Sequence, residues 1–148
     1  MKAHYVLNVM RYVTWPAESM PLTPDAPLAL CILGTDAVGT VDALMALDGK
    51  QGASAQRVSV QRVHSVRALQ SCHTVFVAES DAARMDHILN TLGSAPVLLV
   101  ADSPAAQGAT VLLAQNNRRL VFDINLSRAK ASQLHISSKL MQLARSTR

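Results

Sequence analysis

The clearest pattern of apolar and polar positions lies in the last quarter of the chain, from residue 108 to residue 144. Residues 109–114 form an apolar run that is typical of a strand, and Asn116-Asn117 tolerate the positive φ of a tight hairpin turn. Arg119–Asn125 then alternates apolar and polar side chains, and a period of two is the spacing of a strand. The apolar set consists of Leu120, Phe122 and Ile124. This stretch therefore predicts a β-hairpin.

The sequence after the predicted hairpin changes to helical spacing. Ser127 is placed to cap a short turn, and Ser137 is placed at the opening of a last helix that ends near Arg145. A hairpin that leads into short helices contains nothing that resembles a catalytic loop. This region therefore predicts architecture rather than chemistry.

The rest of the chain alternates apolar strands with amphipathic helices. Helical spacing from Tyr5 to Val13 predicts a first helix that has to end before Pro16, and residues 16–27 predict an irregular connection. Further strands are predicted at residues 28–33, 56–63, 74–78 and 97–100, and further helices at residues 38–47 and, capped by Ser80-Asp81, up to residue 92. The order β-α-β-β-α-β-β-β between flanking helices predicts an α/β fold, with a mixed sheet of about six strands in one domain, residues 1–148.

The charge distribution is uneven, although the net charge of +4 is modest. From Arg118 onward the chain contains seven Lys or Arg residues and a single acid, Asp123, whereas residues 1–117 contain seven basic and nine acidic residues. This balance is typical of a solvated basic face, and the alternative is a surface that attracts an acidic partner or anionic lipid headgroups. By charge alone, the candidates for partner contact are Arg118, Arg128 and Lys130. Nucleic acid is not expected, because no aromatic residues are interleaved with the basic ones.

No catalytic or cofactor-binding signature accompanies this fold. The sequence lacks G-x-S-x-G, H-E-x-x-H and C-x-x-C, and its five histidines are scattered, so we expect no catalytic residue, no metal and no cofactor. The turn Gly34-Thr35-Asp36 precedes a helix, as phosphate-binding turns do, but it has neither a G-x-G-x-x-G fingerprint nor a P-loop lysine. A flavodoxin-like cofactor protein that uses this turn remains an alternative.

Trp15 is the one tryptophan in the chain and has two interpretations. An exposed indole is a common binding hot spot, and in that case Trp15 or the hairpin lines the pocket of a small-ligand sensor. A tryptophan at the end of a helix also seals that end against the core. Burial statistics favour the second interpretation.

The two cysteines are the only residues that suggest covalent chemistry. Cys31 lies inside a predicted buried strand and Cys72 lies just before another. If the two strands are neighbours, the Cα atoms fall in the bridgeable range of about 4.4–6.8 Å. Buried thiols also serve as small hydrophobic side chains. The residues alone leave both interpretations open.

Several stretches, in a fixed order, are similar to those of one protein family. They are T-W-P at residues 14–16, L-A-L-C-I-L-G at 28–34, T-V-F-V-A-E-S at 74–80, R-x-x-F-x-I-N-L at 119–126 and I-S-S-K-L-x-x-L-A at 136–144. Their order and spacing resemble the YfiR-like family over nearly the whole chain. The matching residues include Trp15, Pro16, Arg119, Phe122 and Asn125. The chain departs from the family at Gln107-Gly108, where a paired glycine is usual.

The resemblance implies a regulatory protein and not an enzyme. Members of the family act in the periplasm, where they hold the sensory domain of an inner-membrane signalling enzyme, often a diguanylate cyclase, in its inactive state. For this chain the resemblance implies such a partner, or a sensor kinase, together with a homodimer. Some members carry cysteines at the positions of Cys31 and Cys72, which implies a pair that can oxidise and that tunes the stability or competence of the regulator. The second pair that some members have before the hairpin is absent here.

The resemblance also implies export. No apolar run approaches the roughly 20 residues of a membrane span. The first residues lack the continuous apolar centre of a signal peptide, because His4, Asn8 and Arg11 interrupt them. We therefore expect the sequence to be that of a mature form whose leader has been removed.

Overall fold

The computed structural model describes residues 2–16, 27–35, 39–47, 58–116 and 118–147. Its strands are β1 (Val13–Thr14), β2 (Leu28–Leu33), β3 (Val58–Val63), β4 (Thr74–Val77), β5 (Leu98–Ala101), β6 (Val111–Asn116), β7 (Arg119–Ile124), β8 (His135–Ile136) and β9 (Ser146–Thr147). Its α-helices are α1 (Lys2–Arg11), α2 (Thr40–Met45), α3 (Met85–Leu92), α4 (Leu126–Ala131) and α5 (Ser138–Leu143). Two 3₁₀ helices cover Val66–Ser71 and Glu79–Arg84.

These elements form a mixed α/β fold around one sheet with the strand order β3-β2-β4-β5-β6-β7-β9. The strands from β3 to β6 in this order run parallel, and β7 returns antiparallel to β6 as the second arm of the hairpin. The predicted class, the mixed sheet of six longer strands and the C-terminal hairpin followed by short helices are confirmed. The seventh strand, β9, is two residues long and pairs with the end of β7.

The central strands are buried on both faces, as their continuous apolar composition predicts. Along β2, Leu30 and Ile32 belong to one hydrophobic cluster, and Cys31 and Leu33 belong to another on the opposite face. The first cluster contains apolar residues of α1, α2, α4 and α5. The second contains those of α3 and the two 3₁₀ helices. The sheet is therefore the middle of three layers.

A two-residue ladder joins the beginning of the chain to its end. β1 pairs antiparallel with β8, with Val13 opposite Ile136. Next to this pair, the Ser137 N–H donates to the Tyr12 carbonyl at 2.9 Å. The sequence does not predict β1 and β8, because two residues are too few to show a period. The ladder holds the exit of α1 against the segment between α4 and α5.

The helix that follows the hairpin has a different cap from the predicted one. Asn125, and not Ser127, caps α4, and its Oδ1 accepts from the Arg128 N–H at 3.0 Å. The position of Asn125 is fixed by the sheet, because its own N–H donates to the Thr110 carbonyl at 2.8 Å. Ser137 caps α5, as predicted.

Two other predictions differ in detail from the structure. Ser80 and Asp81 lie within a 3₁₀ helix, so α3 begins only at Met85. In the hairpin turn, the residue described with a positive φ is Arg118, at 66°. Asn117, most of the irregular connection predicted at 16–27, and the first residue of the helix predicted at 38–47 lie outside the described residues.

Gly34 ends β2 in a conformation that favours glycine, with a φ of +96°. A Cβ at this position would lie 2.6 Å from the Ser80 Oγ. The same hydroxyl accepts a hydrogen bond from the Thr35 N–H at 2.7 Å. The turn after β2 is therefore packed tightly against the start of the 3₁₀ helix that follows β4.

The variant Gly34→Ala is expected to lower the free energy of unfolding by about 2–3 kcal/mol, because it combines backbone strain with a clash against the Ser80 hydroxyl. Gly39→Ala is a matched control, since its φ is +83° and nothing lies within 4 Å of an added Cβ. Urea unfolding of both variants measures the difference. If Gly34→Ala loses no more stability than Gly39→Ala, the clash contributes nothing.

Candidate functional site

A disulfide joins Cys31, in the middle of β2, to Cys72, which lies two residues before the start of β4. The two Cα atoms are 6.1 Å apart, and the bond closes a sequence separation of 41 residues. Both cysteines are buried in the second hydrophobic cluster, beside Val66 and Leu69. The bond therefore fastens two neighbouring parallel strands from inside the core.

Trp15 is 4 % exposed, so it seals the end of the first helix and does not line an open site. Its Nε1–H donates to the His73 carbonyl at 2.8 Å, and the two rings meet edge to face with centroids 6.1 Å apart. The Nδ1 of His73 accepts from the Ala29 N–H at 2.9 Å. Because His73 follows Cys72, one short segment connects the disulfide, β2 and the tryptophan. Pro16, the next residue after Trp15, is half-buried.

The other residues that match the family motif divide into packed and exposed ones. Phe122 is buried in the first cluster, and its ring packs against that of Tyr5 with centroids 6.5 Å apart. Asn125 is the half-buried cap of α4. Arg119 is exposed at the start of β7. Phe122 and Asn125 therefore hold the hairpin against the helices, while Arg119 is exposed to solvent.

The three basic residues that charge alone selected have different surroundings. Arg118 is exposed in the hairpin turn, and Lys130 is exposed on α4. Arg128 is half-buried, and its guanidinium donates to the Ser132 hydroxyl and to the Gly93 carbonyl at the end of α3. Arg128 therefore connects α4 to the end of α3, and its guanidinium forms hydrogen bonds with groups of the same chain.

A cleft of about 440 Å³ opens beside the hairpin. Its lining includes Asp102, Gln107, Leu112, Asp123, Asn125 and Arg145. The Arg145 guanidinium donates to both carboxylate oxygens of Asp123, at 3.1 and 2.6 Å. These hydrogen bonds, together with the attraction of the carboxylate, raise the pKa of Arg145 above its ordinary value, and the two side chains form an ion pair in the cleft. Sequence analysis missed this pair, and its one signal was that Asp123 is the single acid in a basic region.

A second concavity lies between α1 and α5 and has a volume of about 300 Å³. We call it the α1–α5 groove, and its lining includes Tyr5, Asn8, Arg11, Tyr12, Phe122 and Leu143. It contains three of the five aromatic residues in the chain. Leu143 is 66 % exposed, and it is the one exposed large hydrophobic residue in the described part of the chain. Sequence analysis did not find the groove, because its two walls are more than a hundred residues apart.

Comparison with known proteins assigns the family. The sequence profile of the YfiR/HmsC-like family matches residues 1–145. The chain belongs to the YfiR/HmsC-like family. This match confirms the resemblance that the ordered stretches predicted, and it includes both cysteines and the hairpin. No curated protein is significantly similar in sequence to this YfiR/HmsC-like chain.

Solved structures share the fold at low sequence identity. The ABC domain from Streptococcus pneumoniae in complex with L-Trp matches over 99 % of this chain and 62 % of its own, with a TM-score of 0.66 and 12 % identity. A conserved domain protein from Vibrio cholerae O1 biovar El Tor matches over 99 % and 60 %, with a TM-score of 0.67 and 10 % identity. The YfiR/HmsC-like chain thus spans less than two thirds of the length of either protein. At these identities the likeness concerns the fold alone.

The described part of the YfiR/HmsC-like chain contains neither a cluster of metal-ligating side chains nor a membrane-spanning helix. No three His, Cys, Asp or Glu side chains among these residues converge in a way that would hold a metal ion. None of the helices in the same residues combines the length and the apolar character that crossing a bilayer requires.

Reduction of the disulfide is expected to lower the free energy of unfolding by about 4 kcal/mol, because the unfolded chain regains the entropy that the 41-residue closure removes. Thermal unfolding with and without reductant measures this loss, and a thiol count in denaturant should find no free thiol before reduction. In the control Cys31→Ala/Cys72→Ala, reductant should have no effect. An unchanged melting temperature on reduction of the native chain would contradict the prediction.

The variant Arg128→Ala is expected to lower the free energy of unfolding by about 1–2 kcal/mol, because it leaves the Gly93 carbonyl and the Ser132 hydroxyl without their donor. Lys130→Ala removes an equal charge from the exposed side of the same helix and should change stability by less than about 0.5 kcal/mol. Chemical unfolding of both variants provides the comparison. Equal losses would show that Arg128 contributes no more to the free energy of unfolding than a surface lysine does.

Proposed function

We propose that this protein is a periplasmic regulator that binds the sensory domain of an inner-membrane signalling enzyme and holds that enzyme inactive. The proposed partner is a diguanylate cyclase, and the alternative partner is a sensor kinase. The observation that carries the proposal is the family match over residues 1–145. The family is regulatory, so the activity that this match supports is binding and not catalysis.

The disulfide supports the periplasmic part of the proposal. Disulfides form and persist in oxidising compartments, whereas cytosolic thiols are kept reduced. Cys31 and Cys72 are the only cysteines of the chain, and both are used in the bond. Both are also buried, and a buried bond is protected from exchange because an attacking thiolate has to reach one of its sulfur atoms. The bond is therefore suited to stabilise the fold in an oxidising compartment.

Repression by binding requires a difference in affinity between two states of the partner. To move an enzyme from almost fully active to almost fully inactive, the regulator has to prefer the inactive state by about 10⁴-fold. A rigid surface favours such selectivity, because it cannot adapt its shape to the partner's other state. It also loses little conformational entropy when it binds, which favours affinity. The surfaces next to the hairpin are held rigid in this way, because Phe122 is buried in the first cluster and Asn125 caps α4. A homodimer, which belongs to the same proposal, would present two such surfaces together.

The flavodoxin-like alternative has less support. In open α/β sheets, ligands bind where the strand order reverses, which in this sheet is between β2 and β4. At this position the Thr35 N–H already donates to the Ser80 hydroxyl. Side-chain atoms of Ser80 and Asp81 also occupy the space next to Gly34. A phosphate group would have to displace these contacts before it reached the backbone.

A small-ligand sensor is the second candidate function, and the cleft beside the hairpin is the observation that favours it. Its volume of about 440 Å³ is in the range of small-molecule sites, and it places the Asp123–Arg145 pair next to apolar residues of β6. Trp15 is not part of its lining, so its fluorescence would not report a ligand by direct contact. A ligand that binds only the folded state would instead raise the melting temperature.

Co-purification from envelope extracts tests the proposed function. The full-length protein, tagged and produced in its own host, is expected to recover one inner-membrane protein that carries a sensory domain and a cyclase or kinase domain. A second basic periplasmic protein of similar size serves as the control, because a basic surface binds anionic material without specificity. Deletion of the gene should also raise the cellular level of cyclic di-GMP if the partner is a diguanylate cyclase. Recovery of no membrane protein above the control would contradict the proposal.

A further inference from the structure

The α1–α5 groove is a preformed concave surface. Tyr5, Asn8 and Tyr12 lie three or four residues apart, so they lie on one side of the first helix and its exit and face the groove together. Phe122 and Leu140 are buried and line its inner side. Because the sheet and two helices hold these residues in place, the groove exists before anything binds to it.

Leu143 borders this groove with two thirds of its surface exposed. A single exposed leucine needs no explanation on most protein surfaces. This leucine, however, lies beside Tyr5, Tyr12 and Phe122, and the Arg11 guanidinium lies over the Tyr12 ring at 5.4 Å. Tyrosine and arginine are among the residues that dominate binding energy at protein interfaces. The combination is typical of a pocket that receives an apolar anchor.

The charges around the groove select the kind of occupant. α1 and α5 contain basic residues, among them Arg11 and Lys139, and neither helix contains Asp or Glu. Lys139 is exposed and is four residues from Leu143, so the two are neighbours on the surface of α5. A second copy of this chain would bring like charges together at the groove. An acidic segment would be attracted to it.

We propose that the α1–α5 groove is the docking site for an acidic segment of the membrane partner. The segment inserts an apolar side chain between Tyr12 and Leu143, and its carboxylates face Arg11 and Lys139. This inference rests on the proposed function and names the surface through which the partner is held. Burial of the apolar anchor supplies the affinity, while the charges steer the encounter and set the register.

Recovery of the partner from envelope extracts by full-length variants tests the groove. Leu143→Asp is expected to reduce the recovered partner at least about tenfold, because it removes the apolar contact and places a carboxylate opposite acidic groups. Ala68→Asp is the matched control. It makes the same change in net charge at an exposed residue of the 3₁₀ helix that packs on the opposite face of the sheet. Thermal unfolding of both variants should match that of the native chain, since both positions are exposed.

Charge variants at Lys139 provide a second test that does not depend on the leucine. Lys139→Glu should lose the partner, whereas Lys139→Arg should retain it, because only the first reverses the sign of the charge. Raising the salt concentration from about 0.1 M to about 0.5 M should weaken recovery by the native chain, since exposed charges are screened. Equal recovery by Lys139→Glu and Lys139→Arg would remove the electrostatic part of the proposal.

The outcomes of these experiments distinguish a failure of the groove proposal from a failure of the proposed function. Equal recovery by the native chain and by Leu143→Asp would overturn the groove and leave the proposed function intact. If the native chain recovers no membrane protein, both proposals are overturned. A photo-crosslinking residue in place of Leu143 should form an adduct with an acidic peptide of the membrane partner. Capture of a second copy of this chain, or loss of binding to phosphatidylglycerol vesicles in Leu143→Asp with unchanged partner recovery, would assign the groove to another occupant.

Discussion

Burial of the central strands on both faces is the constraint on which the rest of the structure depends. β2, β4 and β5 consist almost entirely of apolar residues, so helices have to shield both faces of the sheet from water. The helices α1, α2, α4 and α5 cover one face, and α3 with the two 3₁₀ helices covers the other, so the helices nearest the two ends of the chain lie on the same face. This division explains why the first and last elements are neighbours. The β1–β8 ladder and the α1–α5 groove both form where they meet.

The sequence predicts those parts of the fold that are set by local interactions. An apolar run identifies a central strand because burial acts on every residue of that strand, and the alternation in β7 identifies a strand with two different faces. The cap of α4 was mispredicted for a physical reason. Asn125 and Ser127 both have side chains that cap helices, and the sheet decides between them because it binds the backbone of Asn125 through Thr110. β1 and β8 are stable only as a pair, so neither segment carries a signal of its own.

The candidate sites were less predictable, because each of them is formed by residues far apart in the sequence. By charge alone, Arg118, Arg128 and Lys130 are equivalent candidates. Only the hydrogen bond from Arg128 to the end of α3 distinguishes it from the other two. The sequence does not decide whether Cys31 and Cys72 form a disulfide, because that depends on the strand order, which makes β2 and β4 neighbours. Likewise, no local pattern relates Asp123 to Arg145 or the first helix to the last. These pairings depend on the whole topology.

The contact between α1 and the hairpin also determines the order in which the chain reaches its native state. The Tyr5 hydroxyl donates to the Leu120 carbonyl at 3.4 Å, across a separation of 115 residues. The first helix is therefore synthesised early and can pack against α2, but its contacts with the hairpin and α5 form only when those elements have emerged. Such long loops have to close before their contacts stabilise anything, which slows folding. Until then, the part of α1 that faces the C-terminal elements lacks its native contacts, so an incompletely packed chain exposes apolar surface and is prone to aggregation.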